Sequence, residues 1–122
     1  MQIWLKRAYE EPGERDGTRI LVDGIWPRGG SKEDLKIDLW LKEIAPSKDL
    51  RKWFGHDPAR WDGFRSRYLA ELASTPEAVE RCLTWCRAGS VILLFAAKDC
   101  DHNQAVVLRD HLREKLTRED AT

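Results

Sequence analysis

Ser90-Val-Ile-Leu-Leu-Phe-Ala-Ala97 is a short unbroken apolar run, and its reading decides the fold. A half-exposed strand alternates apolar and polar residues. A run without alternation suits a strand covered on both faces, as in a parallel sheet. Downstream, Lys98-Asp-Cys-Asp-His-Asn103 leads into a helix starting near Asp101. That helix is expected to bury Ala105, Leu108, Leu112 and Leu116, which share one face. Upstream, Thr75-Pro76 reads as an N-cap followed by proline in the first turn. Val79, Cys82, Leu83 and Cys86 then line one face, and Gly89 ends the helix.

The same signals recur further back. Asp57-Pro58 is a second cap-plus-proline pair, followed by Trp61, Phe64, Tyr68 and Leu72 at helical steps. Ser31 with Asp34 resembles a capping box. Arg19-Ile-Leu-Val-Asp23 and Gln2-Ile-Trp-Leu-Lys-Arg-Ala8 are two further strand segments. Helices between apolar strands imply crossover connections. The expected architecture is α/β: a small, mostly parallel sheet of three or four strands flanked by helices. Two layers and three layers both fit. One domain over residues 1–116 is expected, with 117–122 as a flexible tail.

Composition narrows the class. The 122 residues hold 21 Lys plus Arg and 21 Asp plus Glu, for zero formal charge. A protein held to nucleic acid by bulk charge should carry a basic face, so that class is not favoured. No apolar run approaches a membrane span, and the N-terminus lacks a signal peptide's apolar stretch. Three cysteines without disulfide-like spacing suit a reducing compartment, so the cytoplasm is expected. No CxxC, HExxH, Walker or GxGxxG pattern occurs. Neither a metal site nor a cofactor is expected. Cys82 and Cys86 read as core.

Ligands of open parallel sheets bind beyond the C-terminal strand ends. Two strand ends here carry unusual residues. One runs into Asp23-Gly-Ile-Trp-Pro-Arg-Gly-Gly30. There Arg28 offers a forked contact to phosphate or carboxylate, and Trp26 offers a wall. The other is Lys98–Asn103. Lys98 and the amides opening the helix can hold an anion. Asp99 and His102 can handle protons, and Asn103 supplies an amide. The bland alternatives are a salt-bridged Arg28, a capping Asp99 and a decorative His102. If the strands are parallel neighbours, both loops meet at one rim. A third cluster, Trp53-Phe-Gly-His-Asp-Pro58, offers His56 either as a shielded acid-base group or as a buried structural histidine.

Val22-Asp-Gly-Ile-Trp-Pro-Arg-Gly29, Leu50-Arg-Lys-Trp-Phe-Gly-His-Asp-Pro58 and Leu94-Phe-Ala-Ala-Lys-Asp-Cys-Asp-His-Asn103 together resemble the YeaO-like proteins. These are small bacterial proteins grouped as a domain of unknown function, numbered 488. The resemblance spans Lys6 to about Leu116. It implies a bacterial cytosolic protein without an agreed biochemical role. The family commonly has Arg where this chain has Gly24, which implies one lost anion contact. Longer relatives carry Cys-His-Arg where this chain has His102-Asn103-Gln104, so their thiol chemistry does not transfer.

Three readings follow. The first is an enzyme or binding protein for a small anionic ligand, phosphate- or nucleotide-like. Arg28 and Lys98 would hold the anion, Asp23, Trp26 and Asn103 would line the site, and His102, Asp99 and His56 would move protons. The second is a nucleic-acid-binding accessory or regulatory protein, with Arg28, Arg51, Lys52 and Arg60 on phosphates. The third is a partner-binding module with Trp4, Trp40 or Trp85 on an apolar patch.

Overall fold

The computed structural model describes residues 2–13 and 16–120. Four strands form one sheet: β1 (Ile3–Arg7), β2 (Thr18–Leu21), β3 (Leu39–Trp40) and β4 (Val91–Phe95). Their order is β1-β4-β2-β3, and every pairing is parallel. The apolar run is therefore the central strand beside β1, and all five of its residues are buried. The α-helices are α1 (Lys32–Leu35), α2 (Lys48–Phe54), α3 (Trp61–Ala73), α4 (Pro76–Ala88) and α5 (Gln104–Asp120). No helix among the described residues is long and apolar enough to cross a membrane.

The two faces of the sheet are covered unequally. On one face Ile3, Ile20, Val91, Leu93 and Phe95 pack with Phe64, Tyr68, Cys82, Cys86 and Leu108 from the helices. Phe54, Phe64 and Tyr68 form a ring stack there, with centroids 4.4 and 5.9 Å apart. Among the described residues the opposite face carries a smaller cluster, Ala8, Leu21, Ile37, Ile92 and Leu94, against which Trp26 and Leu35 of the β2–β3 connection and Trp40 of β3 pack. The sheet is thus helix-covered on one side and loop-covered on the other.

Arg19 holds that loop down. It sits in β2 and is 3% exposed. Its guanidinium donates to the carbonyls of Lys36, Leu35 and Glu10 at 3.0–3.2 Å. It also donates to Asp16 at 2.9 Å, and Asp16 in turn binds Lys6 at 2.8 Å. Burial raises the Asp16 carboxyl, but hydrogen bonds from Lys6, the Gly13 amide and Arg19 outweigh it and hold the group below its ordinary value.

Both sheet edges are blunted. β3 pairs over two residues. On the outer side of β1, Arg113 donates to the Ile3 carbonyl at 3.0 Å. Glu10 occupies the far end: its carboxylate accepts from the Arg7 N–H at 2.6 Å, and its own N–H donates to the Arg7 carbonyl at 3.0 Å.

Several local expectations shift. Ser31 caps α1 and Asp57 caps a short 3-10 turn, Pro58–Arg60, just before α3. Thr75 precedes α4 but does not cap it, because its hydroxyl donates backward to the Glu71 and Leu72 carbonyls. The last helix opens at Gln104 rather than near Asp101. It continues through 117–120, residues assigned to the tail on sequence grounds; 121 and 122 lie outside the described residues. Cys82 and Cys86 are core, as read. His111 is half-buried, and its Nε2 is shielded without a hydrogen-bond partner among the described residues.

Replacing Asp16 by Ala leaves Arg19 buried and uncompensated. The expected loss is about 3–5 kcal/mol of folding free energy, measured by urea denaturation at pH 7. Asp16 stabilises the fold while ionised. The difference from wild type should therefore shrink as pH falls below 3.8 and through the lowered folded value. Equal stability at pH 7 would remove Arg19 from its role.

Candidate functional site

The ends of β2 and β4 lie side by side because the two strands pair in parallel and the ladder continues past β2. The Val22 N–H donates to the Leu94 carbonyl at 3.1 Å. The next residue, Asp23, turns its carboxylate across the gap. Oδ2 accepts the Ala96 N–H at 2.9 Å, and Oδ1 accepts the Gln104 side-chain amide. The Asp23 carbonyl accepts the Trp40 indole N–H at 2.7 Å. Arg7, at the end of β1, donates to the Ala96 and Ala97 carbonyls at 3.1 and 3.0 Å. All four strands thus contribute to one rim, and the two loops converge there.

A cavity of about 440 Å³ opens at this rim. Asp23, Trp26 and Arg28 line it from the first loop, and His102, Asn103 and Gln104 from the second. The end of α2 adds Arg51, Phe54 and His56, and Tyr9 closes the β1 side. Of the residues expected in the site, Lys98 and Asp99 are not on its wall. Lys98 is exposed.

Each loop is fixed from within. The Trp26 indole donates to the Gly30 carbonyl at 2.7 Å and meets Trp40 edge-on at 5.3 Å. Trp40 is therefore internal packing, whereas Trp4 and Trp85 are 46% and 43% exposed. In the second loop Asp99 accepts the N–H groups of Asp101 and His102 at 2.9 and 3.0 Å. Its other oxygen lies 3.0 Å from His102 Nδ1. With the proton on Nδ1, Asp99 orients the ring and leaves Nε2 as an acceptor. The ring sits edge-on to Trp61 at 5.2 Å. Asp99 is thus a positioning group behind His102. Its carboxyl is held below its ordinary value, first by the Asp101 amide, against a small opposing desolvation, and then by His102.

Asn103 is buried, and its oxygen accepts the N–H groups of Ala105 and Val106 at 2.9 and 3.3 Å. Those amides open α5, so Asn103 occupies the place where the sequence reading put an anion. His56 is exposed rather than shielded, in a left-handed backbone (φ 58°) that follows Gly55. Burial raises the Asp23 carboxyl above its ordinary value, opposed by the Ala96 and Gln104 hydrogen bonds and by the charges of Arg51 and His56.

Arg51 is the residue that the site reading missed. It was weighed only as a phosphate contact for nucleic acid. Its Nε is fully shielded and has no hydrogen-bond partner among the described residues. The available signal was its place on α2 beside the buried Leu50 and three residues before the buried Phe54.

Comparison with known proteins places the chain in context. The family model described as "Inactive DUF488-N3 subclade" matches residues 2–122. The chain is 44% identical over 113 residues to an uncharacterized protein, YeaO, of Escherichia coli (strain K12), covering 93% of this chain and 98% of that one. It is 44% identical over 79 residues to an uncharacterized protein, Rv3073c, of Mycobacterium tuberculosis (strain ATCC 25618 / H37Rv), covering 65% and 67% respectively. No solved structure matches the chain.

Asp23 carries a charge that its surroundings disfavour. A raised acid contributes stability below its unfolded value and loses it as pH rises through the folded value. In Asp23→Asn the charge is gone, and Gln104 can turn its side-chain amide over so that its oxygen meets the new NH2 while the Asn oxygen keeps the Ala96 N–H; the variant should therefore be more stable than wild type at pH 7. The gap should close below pH 3.8. Thermal unfolding of both proteins between pH 3 and 8 checks this; a variant less stable at pH 7 would reverse the assignment.

Proposed function

The chain belongs to the inactive DUF488-N3 subclade, and from that premise we propose that it binds a small anionic ligand, phosphate- or nucleotide-like, without turning it over. The observation that carries this reading is Arg51, a guanidinium on the wall of the cavity that Arg28 also lines. A guanidinium on a cavity wall offers forked N–H contacts to the oxygens of an anion. Arg28 adds a second permanent charge at the mouth. Asp23 is the one carboxylate on the wall, so cationic groups outnumber it.

Trp26, Phe54 and Phe64 give the cavity apolar walls that suit the body of such a ligand. His102, aimed by Asp99, supplies a polar contact whose character changes with protonation. The family's description as inactive favours binding over proton transfer. The nucleic-acid reading has less support. Arg60 donates to the Trp53 carbonyl and stacks over the Trp53 ring at 5.3 Å, so it is engaged internally.

A thermal-shift series with inorganic phosphate, nucleoside monophosphates and a short single-stranded oligonucleotide tests the reading. A ligand at 100 times its dissociation constant adds about 2.7 kcal/mol, which raises the midpoint on the order of 10 °C. Such a shift is expected with a small phosphate compound and is expected to be lost in Arg51→Ala. A shift with the oligonucleotide alone, falling steeply with salt, would transfer the function to nucleic acid. No shift with any of them would end the anion reading.

A further inference from the structure

Gly24 lies directly beneath the Arg51 side chain. A Cβ built on Gly24 would stand 3.1 Å from the guanidinium carbon, 3.1 Å from Nη1 and 3.2 Å from Nη2. Three nearly equal distances place that position over the face of the guanidinium plane, since an edge-on approach would leave the carbon farther away than the two nitrogens. The guanidinium therefore turns its face toward Gly24, and its N–H edges point sideways. Nε is shielded and has no hydrogen-bond partner among the described residues. Arg51 and Gly24 both line the rim cavity.

Gly24 is not in the left-handed region, which among the described glycines holds Gly17, Gly29 and Gly55. The backbone there would accept any side chain, so the room above residue 24 is what distinguishes glycine at this position. The obstacle that a larger residue would meet is the end of one long side chain, which can swing away at small cost to the fold.

Resting on the anion-site reading, we propose that Arg51 is the anchoring group of the site and that Gly24 determines its specificity. Seated flat, the guanidinium offers its N–H edge as a fork, which fits the two coplanar oxygens of a phosphate monoester or a carboxylate. A side chain at residue 24 lifts the plane and breaks the fork. Sequence alone read Gly24 as a lost contact; the geometry makes it the seat of one.

Isothermal titration of the intact chain with inorganic phosphate, phenyl phosphate and benzoate tests this, using wild type, Arg51→Lys, Arg51→Ala, Arg28→Ala, Gly24→Ala and Gly24→Val. Phenyl phosphate against benzoate separates phosphate from carboxylate as the head group. The expected result is a stepwise loss of affinity from Gly24 to Ala to Val, reaching about tenfold or more at Val. Unliganded unfolding midpoints should stay within about 2 °C of wild type. Arg51→Lys should lose as much as Gly24→Val, because an ammonium cannot fork. If wild type binds and Gly24→Val binds equally well, the seat is wrong while the anion site stands. If wild type binds and Arg28→Ala abolishes binding while Arg51→Ala does not, the anchor is wrong. If wild type binds none of the three probes, the anion site falls and takes this inference with it.

Discussion

The carboxylate of Asp23 is the knot of this molecule. It takes the Ala96 amide beyond β4 and the Gln104 amide at the start of α5, while its own carbonyl takes the Trp40 indole at the end of β3. One residue thereby registers two strand ends, a helix start and the tip of a third strand. The arrangement keeps a carboxylate in a half-dry place, where burial lifts its proton affinity. Arg51 and His56 offset part of that penalty from across the cavity. The charge of the site and the geometry of the rim therefore have a common origin.

The unequal sheet gives the fold its second dependency. Helices α2, α3 and α4 follow one another between β3 and β4, α5 follows β4, and the large ring stack fills one face. The opposite face has a loop and a four-residue helix for a roof. So thin a layer cannot bury enough apolar surface to hold itself down. Arg19 makes up the deficit with directional bonds to three carbonyls and Asp16. The strand that carries Asp23 at its end is thus fixed by Arg19 at its beginning.

What the sequence revealed follows what is local. Apolar runs and cap-plus-proline pairs marked three strands and the long helices, since periodicity and capping act within a few residues. The doublet Leu39–Trp40 was invisible because two residues carry no period. The two polar loops were recognised as a rim from the strand reading. The roles within them were harder, because capping and ligand binding call for the same residue types. Asn103 caps α5, Asp99 braces His102, and Lys98 is exposed and off the cavity wall. Arg51 escaped because its meaning lies in Gly24, a contact between distant parts of the chain that no window of sequence contains.

The treatment of the sheet edges has a consequence for how this protein keeps company. An open edge is a template on which another chain can lay a strand, and in a crowded cell it invites runaway cross-β growth. Here Arg113 and Glu10 hold the backbone groups at the two ends of β1, and β3 is too short to recruit a neighbour. A foreign strand running the length of β1 would have to strip a guanidinium from one end of the edge and a carboxylate from the other. The lamina is thereby guarded at both ends of its longer outer strand against templated addition.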